Sequence, residues 1–416
     1  MVETIPSAFI PEQKILLNQI NPKYAHHFIN PFLEFLKLDL KKEFKLQVQI
    51  REKPKSKINP TLKLAKPKDA EIIAEIVKED YEGTYPYKEM EDPEEIRNMM
   101  RSGKYKFVLF LNKDNKILGS TCFVLDFKEK KGYVRTFVVR KKYLGILDAT
   151  KAYIGSSLLI FNRYRKNILI WWGEARTADA KSQYVNRLCS LKPIAFLPNK
   201  DVFYNKIESD VVIISYSKEI FKRYRSKKRP RIIPSVNYCF KYSQSHYNLE
   251  DPEIVSPINN CKFNYIRLTS LYKQLKVNKT IHRFNYITYK FTFEDSDSYF
   301  KFLYTPRVKN FEKTEYRVKD SEELFVFLQV FKKMARKLKI RYLEAYVSAY
   351  KPSHQKLFRD IGLTPRGYIP AWKFDKKREF FEDYIVFNYY EGKLSGDIEF
   401  IPEGKQLLRF LDNYYT

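Results

Sequence analysis

Cysteine is scarce here, with four in 416 residues, and Cys122, Cys189, Cys239 and Cys261 show no metal-type spacing. Cys122 falls in an expected strand and Cys189 in an expected helix, where a buried thiol is the ordinary reading. Histidine is equally thin: the five residues form no HExxH and no Cys/His cluster. His26 and His27 are adjacent, which on a helix points them roughly 100° apart, a poor arrangement for one metal. A metal site is therefore not expected. Apolar runs also stay short of the roughly 18–20 residues that span a bilayer. Met1 to Pro11 lacks a basic segment followed by a long apolar one, so no secretory signal and no membrane are expected, and the chain is placed in the cytoplasm. Glycine is low at 12 residues, which together with 44% hydrophobic content excludes a disordered chain.

What is abundant is positive charge and aromatic rings. Lys and Arg number 77 against 49 Asp and Glu, a net charge of +28, and Tyr and Phe reach 32 each. Such a field attracts phosphate-rich partners, nucleotide or nucleic acid. A Lys-, Ile-, Asn-, Tyr- and Phe-rich background composition accounts for it equally well. Seven of the basic residues lie between Lys222 and Arg231. That run reads as a solvated linker, with an RNA-contacting patch as the sharper alternative.

The order of elements is most legible from Gly132 to Tyr216. GYVRTFVV, Gly132 to Val139, is β-branched and aromatic enough for a strand. The basic loop Arg140 to Ala149 leads into an amphipathic segment, Thr150 to Arg163. ILIWWGEAR from Ile168 is too apolar for an edge strand. Strand, basic loop and helix N-terminus together suggest an anion cradle. Upstream, LKLAKP reads as a short strand, Pro67-Lys68-Asp69 opens a helix, and Asp92-Pro93-Glu94-Glu95 opens another. YKFVLFL and ILGSTCFVLDF flank Asn112 to Lys116 as a hairpin.

The chain then repeats itself. Glu174-Ala175 recurs as Glu344-Ala345, Leu191-x-Pro193 as Leu363-x-Pro365, and Ser209-Asp210 as Glu382-Asp383, at offsets of about 170 residues. In the second copy the glycine-bearing loop is replaced by Arg317-Val318-Lys319-Asp320-Ser321, an ordinary helix start. The resulting division is a helical extension over 1–59, a first domain over 60–217, a basic irregular linker over 218–259, a second domain over 260–391 and a tail helix over 392–416. The extension's helix runs from Asn21-Pro22 to Phe44.

This order resembles the GNAT superfamily of N-acetyltransferases, and the tail of the first copy resembles archaeal members of it. The resemblance implies an α/β (α+β) chain of two tandem GNAT-like domains, each a mixed, mostly antiparallel twisted sheet flanked by helices. The family's pyrophosphate signature, Gln/Arg-x-x-Gly-x-Gly/Ala, matches only in part: Gly145 and Ala149 fall on small positions, while Leu144 and Leu147 depart from it. The implied contacts to acetyl-CoA are Phe137, Val138 and Val139 from the strand, then Arg140, Lys141, Lys142, Gly145, Ile146 and Ala149 from the loop. No metal is implied.

For chemistry, the resemblance points to acetyl transfer from acetyl-CoA to a primary amine of a small molecule, protein or peptide. Glu174, half-buried beside Trp171 and Trp172, is the candidate base. The alternative is a structural carboxylate paired with Arg135 or Arg176, which the recurrence of Glu344 favours. The family's tyrosine acid falls at Asn186, so Asn186 or the nearby Tyr184 would take that place. Two competing functions stay open: a tRNA-dependent aminoacyl- or peptidyl-type transferase, and a non-catalytic basic nucleic-acid-binding protein.

Overall fold

The computed structural model describes residues 12–16, 45–49, 58, 60–256, 263–294, 296–396 and 398–412. They fall into two compact units: Met1–Lys192 with Val202–Lys206 and Val212–Ile220, and Pro193–Asp201 with Ile207–Val211 and Phe221–Thr416.

The first unit begins with β1 (Glu12–Leu16) and β2 (Lys45–Gln49), a parallel pair, and β2 runs antiparallel to β3 (Thr61–Leu64). The helical stretch expected up to Phe44 lies outside the described residues. The described parts of 1–59 are strand, with Ile58 bridged to Leu147.

After β3 come α1 (Ala70–Asp80) and α2 (Pro93–Arg101). Ahead of α1, Asp69 closes the turn Pro67–Asp69, its carboxylate accepting the Lys66 amide at 2.8 Å. The helix's buried side chains Ala70, Ile73, Ala74 and Val77 recur at helical spacing and form one stripe. For α2, Asp92 caps the Glu95 amide at 2.9 Å and Pro93 supplies the preset first φ.

Antiparallel strands β4 (Tyr105–Leu111), β5 (Ile117–Asp126) and β6 (Lys131–Val139) follow. The first turn is closed by Asn112, whose side-chain oxygen accepts the Asp114 and Lys116 amides. Next are α3 (Ala149–Tyr164), β7 (Ile170–Arg176) parallel to β6, α4 (Lys181–Leu188), and the strands β8 (Lys192–Phe203) and β9 (Lys206–Tyr216), of which Pro193–Asp201 and Ile207–Val211 count with the second unit.

Helices cover both faces of this sheet. Ile73, Val77 and Ile96 pack with Phe107, Leu109 and Val138 on one face. On the other, Trp171 packs against Phe161 at 4.4 Å and edge-on to Phe123 at 6.2 Å. Gly132 lies opposite Trp171 in the ladder, and a Cβ there would sit 2.2 Å from the indole.

In the second unit, β10 (Arg231–Ile232) pairs in parallel with β11 (Glu253–Ile254), and α5 (Asn237–Tyr247) lies between them in sequence. The tract 218–259 is thus not irregular throughout. Its Ser, Tyr and His content gives weak helix propensity, and packing supplies the rest. Phe240 meets Tyr368 edge-on at 4.9 Å, and the Ser243 hydroxyl donates to the Tyr368 carbonyl at 2.5 Å. Asn248, at φ 49°, ends the helix in the left-handed conformation.

Then come α6 (Tyr265–Gln274) and the antiparallel strands β12 (Leu275–Ile281), β13 (Ile287–Phe293), β14 (Tyr299–Thr305) and β15 (Asn310–Arg317). They are followed by α7 (Ser321–Lys337), β16 (Tyr342–Ser348) parallel to β15, α8 (Pro352–Asp360), β17 (Thr364–Asp375), β18 (Phe380–Tyr390) and α9 (Pro402–Asp412). Phenylalanines fill this core, with Phe300 and Phe302 both packed on Phe331.

Both units are therefore mixed α/β, with a mixed sheet flanked by helices. Strand order is β4-β5-β6-β7-β9-β8 in one run and β13-β14-β15-β16-β18-β17 in the other. The repeat read from paired residues is matched by a repeat of topology. One difference matters for function: α1 and α2 stand between β3 and β4, whereas only the short turn 282–286 joins β12 to β13.

Candidate functional site

The first unit's parallel ladder runs from Lys131–Ile170 to Val134–Gly173 and stops, although β6 continues to Val139 and β7 to Arg176. A bulge in β6 explains the divergence. The β5–β6 register jumps from Phe123–Val134 to Cys122–Thr136, leaving Arg135 as the extra residue. Such an insertion bends the bulged strand away from a neighbour. Arg135 is anchored in that position by Glu89, to which its guanidinium donates. Past the bulge, Phe137, Val138 and Val139 pair with β5 on one side and border the divergence on the other.

Phe137 turns toward α3, its ring edge-on to Tyr153 at 5.2 Å. Val138 and Val139 are buried. On β7, Trp171 faces α3, so alternation puts Glu174 and Arg176 on the α1 side. Glu174 is half-buried there. Tyr184 is 46% exposed on α4 and outside any core.

Asn186 is occupied. Its side-chain oxygen accepts the Tyr153 hydroxyl and its amide donates to the Ser182 carbonyl at 2.8 Å, in a buried setting. Its side chain ties α4 to α3, which leaves it poorly placed to meet a substrate.

At the expected anion cradle the backbone donors already have partners within the chain. The amides of Arg140, Tyr143, Leu144, Ile146, Leu147 and Asp148 all donate to backbone carbonyls, that of Asp148 to Ile58 at 3.0 Å. The α3 N-terminus holds the chain's own carboxylate, since Asp148 accepts the Lys151 amide at 3.0 Å. Ala149 stands directly behind that cap.

The cations are likewise engaged. Arg140 donates to Glu75 at 2.9 Å and lies 3.7 Å from Glu79, both on α1. Lys141 pairs with Glu82, and its amide donates to Glu79 at 3.0 Å. The α3 start thus carries the Asp148 carboxylate where the resemblance implies a diphosphate. Two features do suit an anion: exposed Lys142, and Gly145 at φ +75° with nothing within 4 Å of where a Cβ would be.

Sequence reading missed a cluster beside the divergence. Tyr81 packs on Tyr85 at 4.5 Å and stacks with Tyr204 at 5.9 Å, and Phe203 joins both rings. The Arg176 guanidinium lies 4.6 Å from the Phe203 ring centre and 5.2 Å from that of Tyr204. The Tyr204 hydroxyl donates to the Asp80 carbonyl at 3.1 Å, and its amide donates to the Thr84 hydroxyl at 2.8 Å. Burial pushes the Asp80 carboxyl up to about 6, against the opposing pull of Arg176 and Lys141. The signal was present in Asp80-Tyr81 and Tyr85-Pro86-Tyr87, tyrosines crowded at a helix end.

The second unit's equivalent is filled. Its ladder also stops early, at Phe311–Leu343, but the Thr314 hydroxyl reaches across to the Glu344 carbonyl at 2.7 Å. The Glu344 carboxylate is buried with Lys200 at 3.4 Å and accepts the Tyr342 hydroxyl at 3.2 Å, a structural arrangement. At the following helix, Asp320 caps the Glu322 and Glu323 amides, and those two acids occupy the first turn.

The basic run is partly committed within the second unit. Arg225 grips Asp383 at 2.6 Å, Arg229 donates to the Asp251 carbonyl at 2.9 Å and Arg231 meets Glu253 at 3.0 Å. Lys222, Lys227 and Lys228 remain exposed. Cys122, Cys189 and Cys239 are buried free thiols, and burial raises the first two to about 12. Among the described residues no group of three or more His, Cys, Asp or Glu could hold a metal ion. No helix among them is long and apolar enough to cross a membrane.

No protein-family model matches the chain, and no curated protein matches it. Solved structures do. The ribosomal-protein-S5-alanine acetyltransferase of Vibrio fischeri is 13% identical, with 38% of this chain and 94% of that chain covered and a TM-score of 0.32. The ribosomal-protein-alanine N-acetyltransferase of Brucella melitensis is 11% identical over 38% of this chain and 99% of its own, with a TM-score of 0.32. The yncA protein of Salmonella typhimurium, solved with its cofactor acetyl-CoA, is 14% identical over 38% and 94%, with a TM-score of 0.33.

Proposed function

We propose that this chain is an N-acyltransferase of tandem GNAT-like build, working through its first unit and using acetyl-CoA to acylate a primary amine by direct attack. The observation that carries the reading is the divergence of β6 and β7 beyond Val134 and Gly173. Two parallel strands that part company leave one strand's backbone N–H groups without a ladder partner on that side, suited to polarising a thioester carbonyl. Lys142 and the open face of Gly145 are the groups left to meet the donor's phosphates. Glu174 and Arg176 border the acceptor side, where a carboxylate attracts an ammonium. The second unit, its gap closed by Thr314 and its helix start acidic, is a supporting shell.

The Asp148 cap favours a second reading, a transferase of the tRNA-dependent type whose donor carries no CoA diphosphate. One assay separates them: release of free thiol from acetyl-CoA with spermidine, lysine amide and a peptide bearing a free N-terminus. Amine-dependent release is expected, with Glu174→Gln raising KM for the amine several-fold. No release with any of the three amines contradicts the first reading, and recovery of tRNA-sized nucleic acid with the purified chain then supports the second.

A further inference from the structure

We infer that Asp80, and not Glu174, is the carboxylate that takes the proton from the attacking amine. This rests on the acyl-transfer reading above. Asp80 is the last residue of α1, and its two cationic neighbours come from opposite sides of the β6–β7 divergence. Arg176 closes β7, and Lys141 follows just past the end of β6. The Tyr204 ring that lies 5.2 Å from the Arg176 guanidinium donates its hydroxyl to the Asp80 carbonyl, and Lys141 pairs with Glu82 two residues on, so α1 ends beside the last residue of β7 and the first loop residues after β6.

Its placement is fixed by Tyr204, which holds the Asp80 carbonyl through its hydroxyl and the Thr84 hydroxyl through its amide. The Tyr81, Tyr85 and Phe203 rings form the wall behind it. Among the described residues the Asp80 carboxylate makes no hydrogen bond and no ion pair. Its neighbours Lys141 and Glu79, by contrast, are engaged with Glu82 and Arg140. A half-buried carboxylate without a partner costs stability.

The charged groups acting on it are Arg176 from β7, Lys141 from the loop and Glu79 from α1, with burial the largest influence. Burial and Glu79 raise its proton affinity, and the two cations lower it. The balance near 6 leaves Asp80 ionised at neutral pH yet basic enough to accept a proton.

The step balances as follows. The ammonium gives one proton to Asp80, and the freed lone pair forms the C–N bond at the thioester carbonyl carbon. The C–S bond breaks with its electron pair staying on sulfur. The thiolate takes the proton that nitrogen loses as the amide forms, and Asp80 returns its proton to water.

The test is the pH dependence of kcat/KM for the full chain with acetyl-CoA and the fastest amine of the panel above. Wild type is expected to show an acid limb near pH 6. Asp80→Asn should lose that limb and about 10²–10⁴-fold in kcat, with acetyl-CoA affinity and fold intact. Asp80→Glu should recover part of the rate, and Glu174→Gln should keep the limb. A limb that persists in Asp80→Asn overturns the assignment while leaving acyl transfer standing. A wild-type chain with no transfer overturns both.

Discussion

Half-buried Asp80 and buried His354 are titrating groups whose effects on stability run in opposite directions. The folded Asp80 value, about 6, lies above the unfolded 3.8, so its contribution is full below about pH 4 and is lost as pH rises through 6. Asp80→Asn should therefore be more stable than wild type above pH 6, by about 2–3 kcal/mol. His354 is held down to about 4 by burial and by Lys351, below its ordinary 6.5. Its contribution is present above pH 6.5 and is lost as pH falls toward 4. His354→Gln should remove most of that loss, on the order of 3 kcal/mol, read from chemical denaturation at pH 7 and pH 4. An unchanged pH slope in either variant would contradict the assignment. Glu174 was legible at this scale because an apolar strand ends on it. Asp80 was not, because nothing in one sequence shows which helix-terminal carboxylate will lack a partner.

Elements were legible where hydrophobic period and turn chemistry agreed. The β4–β5 hairpin sits where Asn112 to Lys116 placed it, and α3 begins one residue before its expected start. The loop between β6 and α3 looks uniformly basic in sequence, whereas in the fold its Arg140 and Lys141 have acidic partners. Of their partners, Glu75 and Glu79 lie one turn apart on α1 and Glu82 follows in the turn after it, a row that sequence displays but does not pair. The tract holding α5 was missed for the opposite reason, weak propensity overridden by packing on β17. The Asp148 cap offers a direct test of this scale. Asp148→Ala should cost about 1 kcal/mol in denaturant melts. Asp148→Ser should keep the cap yet remove the charge from the α3 terminus, and so tighten acetyl-CoA binding. Weaker binding in Asp148→Ser would mean the carboxylate helps the site.

For the whole molecule, the strand orders of the two units coincide while their sites do not. The first has α1 and α2 beside a strand divergence and Gly145 in the following turn. The second has a direct β12–β13 turn, a bridged gap and Glu322 and Glu323 at the helix start. Paired residues revealed the repeat, since strand ends and prolines keep their spacing. The bulge at Arg135 in the first copy and the Thr314 hydroxyl reaching across strands in the second are features that composition does not encode. Of the 77 Lys and Arg, some serve internal pairs such as Arg225 with Asp383. The most direct test of the account is calorimetric titration of acetyl-CoA into the full chain. One site per chain is predicted, weakened about tenfold or more by Lys142→Glu and unaffected by Ser321→Ala. Two equivalent sites, no binding, or binding indifferent to Lys142→Glu would contradict it.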